Sequence, residues 1–286
     1  MLFAKNYPVK LTNKMPELPE VETVRSGLEK KIVNKTINKV TLSDKKLRIP
    51  YPKNINLLKG CTIKGVSRRA KYLLVDVGLD EKLVIHLGMS GKILFREKGY
   101  KPEKHDHFIL DFNGGERLVF NDTRRFGLVT LVDSKELNQH KLFAKLGPEP
   151  LLEDFDSNYL YEKLKNISSP IKQAIMNNEV VVGVGNIYAC ESLFYSGIRP
   201  EKAANKVSKK KLDLLVDNIQ TVLKDAIESG GSTLRDYVRS DGEMGYFQFA
   251  HKVYGREKLP CFTCGSKIKR IVQAGRSSFY CGKCQS

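Results

Sequence analysis

No apolar run in this chain of 286 residues approaches the length of a membrane span. The first residues lack an apolar block ending in a small-residue cleavage site, so no secretory signal is expected. No internal repeat or coiled-coil heptad is present, and a monomer is expected. Cysteine is sparse except at one end. Of six, four lie between residues 261 and 284, while Cys61 and Cys190 stand alone in apolar surroundings and read as buried thiols. That distribution excludes a secreted disulfide framework and suits a reducing cytosol. Acid is scarce too. Asp and Glu number 32 against 49 Lys and Arg, a formal net charge of +17. Such an excess points to nucleic acid first and an anionic membrane surface second; the plain alternative is a lysine-rich soluble protein.

What is present reads as an α+β protein. Hydrophobic content of 41% and charged content of 28% are ordinary for a globular chain, and the length suffices for two sizeable cores. Residues 1–14 carry three lysines, no acid and no clear period. They are a presequence, a flexible tail or the product of a start codon read too early, and the last is favoured on the chemistry below. From Pro19 a helix is predicted, with Val21, Val24, Leu28 and Ile32 on one apolar face and Glu20 and Glu22 near its positive end. Pro16 and Glu17 stand at its tip. Glu17 is either an acid beside Pro16 or a surface carboxylate facing the helix dipole.

Residues 37–133 read as strands of a β-sandwich or flattened barrel, with runs at Leu73–Val77, Leu83–His86, Phe108–Phe112 and Arg117–Phe120 and a turn at Asn113-Gly114-Gly115. The loops are basic or unusual: Arg68-Arg69-Ala70-Lys71, His86-Leu87-Gly88-Met89-Ser90-Gly91, His105-Asp106-His107 and Asp122-Thr123-Arg124-Arg125-Phe126-Gly127. Singly each is a solvated edge or core filler. Together they suggest a DNA face. Leu146-Gly147-Pro148-Glu149-Pro150 has linker composition. Helices are then predicted over 155–165, 169–178, 186–195 and 208–229. Asn186 starts the third after two glycines, with Lys172 nearby, which is either a helix cap or a phosphate clamp. Ser240–Phe247 is a glycine-rich lid or an ordinary loop. Finally, Cys261-x2-Cys264 and Cys281-x2-Cys284, 16 residues apart, have the spacing of a closed four-thiolate zinc site. The segment between them reads as a hairpin tipped by Gln273-Ala274-Gly275-Arg276. Disulfides are the alternative.

These motifs resemble the formamidopyrimidine-DNA glycosylase family from Pro16 to Cys284: Pro-Glu-Leu-Pro-Glu-Val-Glu-Thr at 16–23, Arg-Arg-Ala-Lys-Tyr-Leu-Leu at 68–74, the loops at 86–91 and 124–127, Val-Gly-Val-Gly-Asn-Ile-Tyr at 182–188, and the ribbon. Leu18 stands where the endonuclease VIII-like branch, which prefers pyrimidine lesions, has Gly. The resemblance implies an extension (1–14), a β-sandwich catalytic domain with a leading helix (15–147), a helical helix-two-turns-helix domain (148–258), and a zinc ribbon (259–286) holding one structural Zn2+.

It also implies a bifunctional glycosylase and lyase acting on oxidised purines in damaged double-stranded DNA, cytoplasmic and nucleoid-associated in a bacterium, with no membrane and no obligate protein partner. Pro16 attacks the sugar C1′, Glu17 supplies a proton, Lys71 assists the first elimination and Arg276 the second. Met89, Arg124 and Phe126 wedge into the stack, and His86, His105, Lys172 and Asn186 join them and Arg276 in contacting DNA. Two features depart from the family. An internal proline has an amide nitrogen, whose lone pair is delocalised, so Pro16 needs to be the first residue. A Lys-Pro pair is expected within Gly242-Glu243-Met244-Gly245 and is absent. The alternatives are a non-catalytic damage-binding protein, should the extension be retained, and a pyrimidine-lesion glycosylase.

Overall fold

The computed structural model describes residues 16–230 and 251–286. The segments 1–14 and Ser240–Phe247, with the Gly242–Gly245 departure, lie outside the described residues. The described chain forms two compact units, one from residues 16–149 and 223–230, the other from 150–222 and 251–286.

The first unit opens with helix α1 (Leu18–Ile32), whose Val21, Val24, Leu28 and Ile32 are buried as their spacing predicts. Two four-stranded antiparallel sheets follow. One runs β1 (Ile37–Leu42), β6 (Asp106–Phe112), β7 (Arg117–Asp122), β5 (Gly91–Arg96). The other runs β2 (Gly65–Arg69), β3 (Tyr72–Asp76), β4 (Glu81–His86), β8 (Leu128–Asp133). Strand side chains alternate faces, and the inward sets meet. Phe108, Leu110, Leu118 and Phe120 of one sheet share a core with Leu73, Val75, Leu83 and Ile85 of the other, and the α1 stripe joins it. This is the predicted sandwich with its leading helix. One expectation fails. Cys61 is only half-buried, because it follows the turn at Lys59-Gly60 and its thiol reaches the Leu57 carbonyl at 3.1 Å; Cys190 is fully buried.

In the second unit, α2 (Ser157–Leu164) is capped by Asp156, which accepts the Tyr159 N–H at 2.6 Å. The short α3 (Ile171–Ile175) and α4 (Asn186–Tyr195) flank a buried turn, Val180–Val184. The long α5 (Lys209–Glu228), which belongs to this unit up to Val222, buries Leu212, Leu215, Val216, Ile219, Val222, Leu223 and Ala226, an i, i+3, i+4 stripe. The hairpin β9 (Ile268–Gln273) and β10 (Arg276–Cys281) closes the chain. Its two-residue loop, Ala274-Gly275, has φ of 46° and 73°, both positive as a type I′ turn requires. Among the described residues no helix is long and apolar enough to cross a membrane.

Candidate active site and nucleic-acid interface

Pro16 and Glu17 lead directly into α1, and Pro19 occupies the first turn, where its missing N–H is not needed. Glu17 is the N-cap. It forms a reciprocal capping box with Glu20, whose carboxylate accepts the Glu17 N–H at 2.9 Å. Both carboxylates are 3% exposed. Glu17 is therefore no surface ornament of the helix dipole but a buried acid held one residue from Pro16.

Lys71 lies in the two-residue turn between β2 and β3. Ala70 there has φ 53°, a region that costs a non-glycine residue roughly 1 kcal/mol or more. The turn is held by Glu149. Its carboxylate accepts the Ala70 N–H at 2.6 Å, Arg68 Nη1 at 2.7 Å and Arg69 Nη1 at 2.9 Å. Arg68 also donates to Glu22 of α1 at 2.8 Å. Burial alone would raise the Glu149 carboxyl; Arg68, the Ala70 amide and Arg69 outweigh it and hold it below the ordinary range. Glu149, within the predicted linker, thus ties the Lys71 turn to the helix behind Pro16. His86 ends the neighbouring strand and accepts the Gly88 N–H on Nδ1 at 3.0 Å, which leaves its proton on Nε2. Burial, then the charges of Arg48 and Lys71, push it down to about 3. Its Nε2–H is a neutral donor without charge.

Met89 lies between β4 and β5, and Arg124, Arg125 and Phe126 between β7 and β8. The latter three are exposed, Phe126 at 45%, with the Arg124 guanidinium 5.0 Å from its ring centre. An apolar ring and cations facing water suit a stacked, anionic ligand. Glycines let the two loops touch. A Cβ on Gly88 would stand 2.4 Å from the Gly127 nitrogen, and one on Gly127 would stand 2.5 Å from Phe120 Cζ. Asp122, fully buried, organises the second loop. One oxygen accepts the Gly127 N–H at 2.8 Å; the other accepts Ser90 Oγ at 2.5 Å and the Arg124 N–H at 3.2 Å. Behind it the half-buried His105 gives its carbonyl to the Asp122 N–H at 2.9 Å. Sequence reasoning missed Asp122, Ser90 and Glu149 as organisers. Their partners are up to 81 residues away, and only the Asp122 position next to a turn hinted at a capping role.

In the second unit Lys172 is 1% exposed. Its Nζ donates to Asn186 Oδ1 at 2.5 Å, Ser278 Oγ at 2.7 Å and the Ser277 carbonyl at 3.2 Å. Asn186 Nδ2 donates to the same carbonyl at 3.0 Å. The N-cap of α4 is Gly185, so Asn186 is freed from capping and bridges α3 to the hairpin. Arg276, the next residue to Ser277, is exposed at the hairpin tip. Lys172 and Asn186 therefore brace the strand that carries Arg276.

The ribbon's four sulfurs lie within 4.8 Å of one another, with Cys264–Cys281 at 3.4 Å and Cys261–Cys284 at 3.9 Å. A tetrahedral ion about 2.3 Å from each sulfur needs them about 3.8 Å apart. The set fits one zinc with no position left for water. Cys261 and Cys281 share a small core with Cys190, Phe194, Val253 and Ile268, so the ribbon is packed on α4. Glu191, buried on the same helix, accepts the N–H groups of Lys252, Val253 and Tyr254 at 2.7, 3.0 and 2.8 Å and fixes the chain leading into it.

Cationic loops on a β-sandwich, with a braced arginine hairpin on a four-thiolate ribbon, define a zinc-bearing class of nucleic-acid-binding protein. The chain belongs to the formamidopyrimidine-DNA glycosylase family. Residues 15–129 match its N-terminal domain, 146–238 its H2TH domain, and 258–286 the zinc finger found in FPG and IleRS. The formamidopyrimidine-DNA glycosylase of Dinoroseobacter shibae is 49% identical, over 95% of this chain and the whole of that protein. That of Legionella pneumophila is 47% identical, over 95% and 98%. The Lactococcus lactis Fpg (MutM) in complex with N7-benzyl-Fapy-dG DNA aligns at TM-score 0.85 and 38% identity, over 95% of this chain and all of that one. A MutM complex with DNA containing carbocyclic 8-oxo-G aligns at 0.86 and 37%, with the same coverage.

Proposed function

We propose that this protein is a bifunctional DNA glycosylase and AP lyase that removes oxidised purines, 8-oxoguanine and formamidopyrimidines, from double-stranded DNA. The observation that carries the reading is the buried Glu17 beside Pro16 at the start of α1, in a chain whose relatives are named formamidopyrimidine-DNA glycosylase. A free secondary amine at Pro16, with a pKa on the order of 8, is partly unprotonated at neutral pH. Its nitrogen bonds to the sugar C1′ as the C1′–base bond breaks and the base leaves with a proton; the C1′–O4′ bond then breaks, Glu17 protonates O4′, and the opened sugar is linked to the enzyme as an iminium. Loss of a C2′ proton then breaks the 3′ C–O bond, with Lys71 assisting. Arg276 assists the second elimination, which breaks the 5′ C–O bond and leaves a one-nucleotide gap with phosphate ends.

The lesion has to leave the stack before the amine reaches its sugar. Met89, Arg124 and Phe126 fill the vacated space, with Arg124 facing the orphaned base. His86 and His105 hold backbone as uncharged or half-buried donors, and Lys172 and Asn186 serve it through Arg276. Zinc cross-links the ribbon that presents Arg276. The setting is the bacterial cytoplasm, at the nucleoid, and the working unit is a monomer. Competing excision decides the substrate branch. 8-Oxoguanine opposite cytosine is expected to be released faster than thymine glycol, and the reverse order would move the protein to the pyrimidine branch.

A further inference from the structure

The loops that carry Met89 and Arg124 meet at one hydroxyl. Ser90 Oγ donates to Asp122 Oδ1 at 2.5 Å and accepts the Arg124 N–H at 3.0 Å. Asp122 shares that N–H at 3.2 Å and takes the Gly127 N–H on its other oxygen at 2.8 Å. The carboxylate is fully buried, and a hydrogen bond to a charged acceptor shielded from water is among the stronger kinds. The backbone of Asp122 is fixed in turn. Its carbonyl lies 3.0 Å from His107 Nε2, and His107 Nδ1 lies 2.9 Å from Ser43 Oγ. One carboxylate therefore closes both ends of the 123–127 loop, and a residue adjacent to Met89 is built into that closure.

We infer that Ser90, held by Asp122, is a positioning residue that couples Met89 to Arg124, so that filling the space of the everted lesion and reading the opposite base become one event. The inference rests on the reading of Met89 and Arg124 as wedge residues. Met is unbranched and adaptable, so its own side chain does not define where it pushes. The backbone beneath it does, and the Ser90 hydroxyl fixes that backbone to the amide of Arg124. The touching glycines at 88 and 127 bring the two main chains close enough for a single hydroxyl to span them. Removing the hydroxyl leaves Asp122 with the Arg124 and Gly127 amides, so the loop keeps its closure and loses only the link to Met89. Replacing Asp122 itself disturbs the closure, because an Asn at that point turns a donor toward amides that already donate.

The experiment uses enzyme with a free Pro16 amine and the variants S90A, M89A, R124A and their combinations. Single-turnover base release is measured for 8-oxoguanine opposite cytosine and opposite adenine, together with strand cleavage at a preformed abasic site in the same duplexes. In S90A, base release opposite cytosine falls about tenfold, the scale of one lost hydrogen bond to a charged group. Abasic-site cleavage, which has no base to evert, stays within about twofold, the margin of independent sites. The preference for cytosine shrinks toward that of R124A. The effects of M89A and R124A, non-additive with Ser90 present, become additive in the S90A background. D122N loses both activities. An S90A enzyme with unchanged rate and preference, beside defective M89A and R124A, overturns the coupling. An equal loss in both reactions makes Ser90 a general structural residue and overturns it as well. Unchanged M89A and R124A overturn the wedge reading beneath it.

Discussion

Glu17 and His86 stand close to the proposed chemistry, and burial gives them opposite uses. Glu17 is 3% exposed and held in a capping box. Gln at this position keeps an acceptor for the helix amide and has no proton to give. E17Q is therefore expected to fold and to bind abasic-site duplex like the parent. Its base release should fall by about a hundredfold or more, the usual worth of a positioned acid. Full turnover would reassign the acid. His86 is pushed down to about 3, far below its ordinary 6.5. A group whose folded value is depressed adds stability that is fully present above its unfolded value and is lost as pH falls toward the folded one. The urea midpoint should then decline between about pH 6.5 and pH 3, and less steeply in H86N, whose amide can still accept the Gly88 N–H. Equal slopes would mean that His86 is protonated in the folded state.

At the scale of elements, Lys172 shows how far sequence reading reaches. A lysine beside a glycine-rich turn and an asparagine reads as a phosphate clamp, yet here it is 1% exposed and bonded to Asn186, Ser277 and Ser278. A direct phosphate contact contributes about 0.9 to the slope of log affinity against log salt. K172M is expected to weaken binding while changing that slope by clearly less, whereas R276A removes the full contribution. A full step lost in K172M would restore the clamp reading.

The same case explains what was legible. The α1 stripe, the long α5 stripe, the alternating strands and the cysteine spacing are local periodicities, and each appears in the fold where the chain predicts it. The braces are not local. Glu149 reaches back 79 to 81 residues to the Lys71 turn, and Lys172 reaches forward 105 and 106 residues to the hairpin. No spacing rule foretells which buried carboxylate meets which distant amide, so the loops that bear the chemistry could be named but not the residues that hold them.

For the whole molecule two conditions are expected to govern the proposed activity, and each lies outside the side chains assigned to it. The first is zinc. The ribbon's sulfurs join the core that packs on α4, and a structural zinc contributes on the order of 10 kcal/mol to the fold it closes. One zinc per chain is expected by metal analysis. C264S should lose the metal and most DNA affinity together, and retained affinity without zinc would make the ribbon dispensable. The second is the state of the Pro16 nitrogen. The proposed attack on C1′ needs its lone pair, which an amide bond to Met15 withdraws into the carbonyl. The hydrogen bonds described here for α1, the Glu149 clamp, the wedge loops and the braced hairpin all join residues from 17 onward. Protein carrying residues 1–15 is therefore expected to bind abasic duplex yet give no covalent adduct on borohydride reduction. Protein beginning at Pro16 should give an adduct heavier than the chain by the DNA fragment, resolved by intact mass. An adduct of equal yield from the longer chain would show that another amine, Lys71 being the nearest in the argument, is the nucleophile.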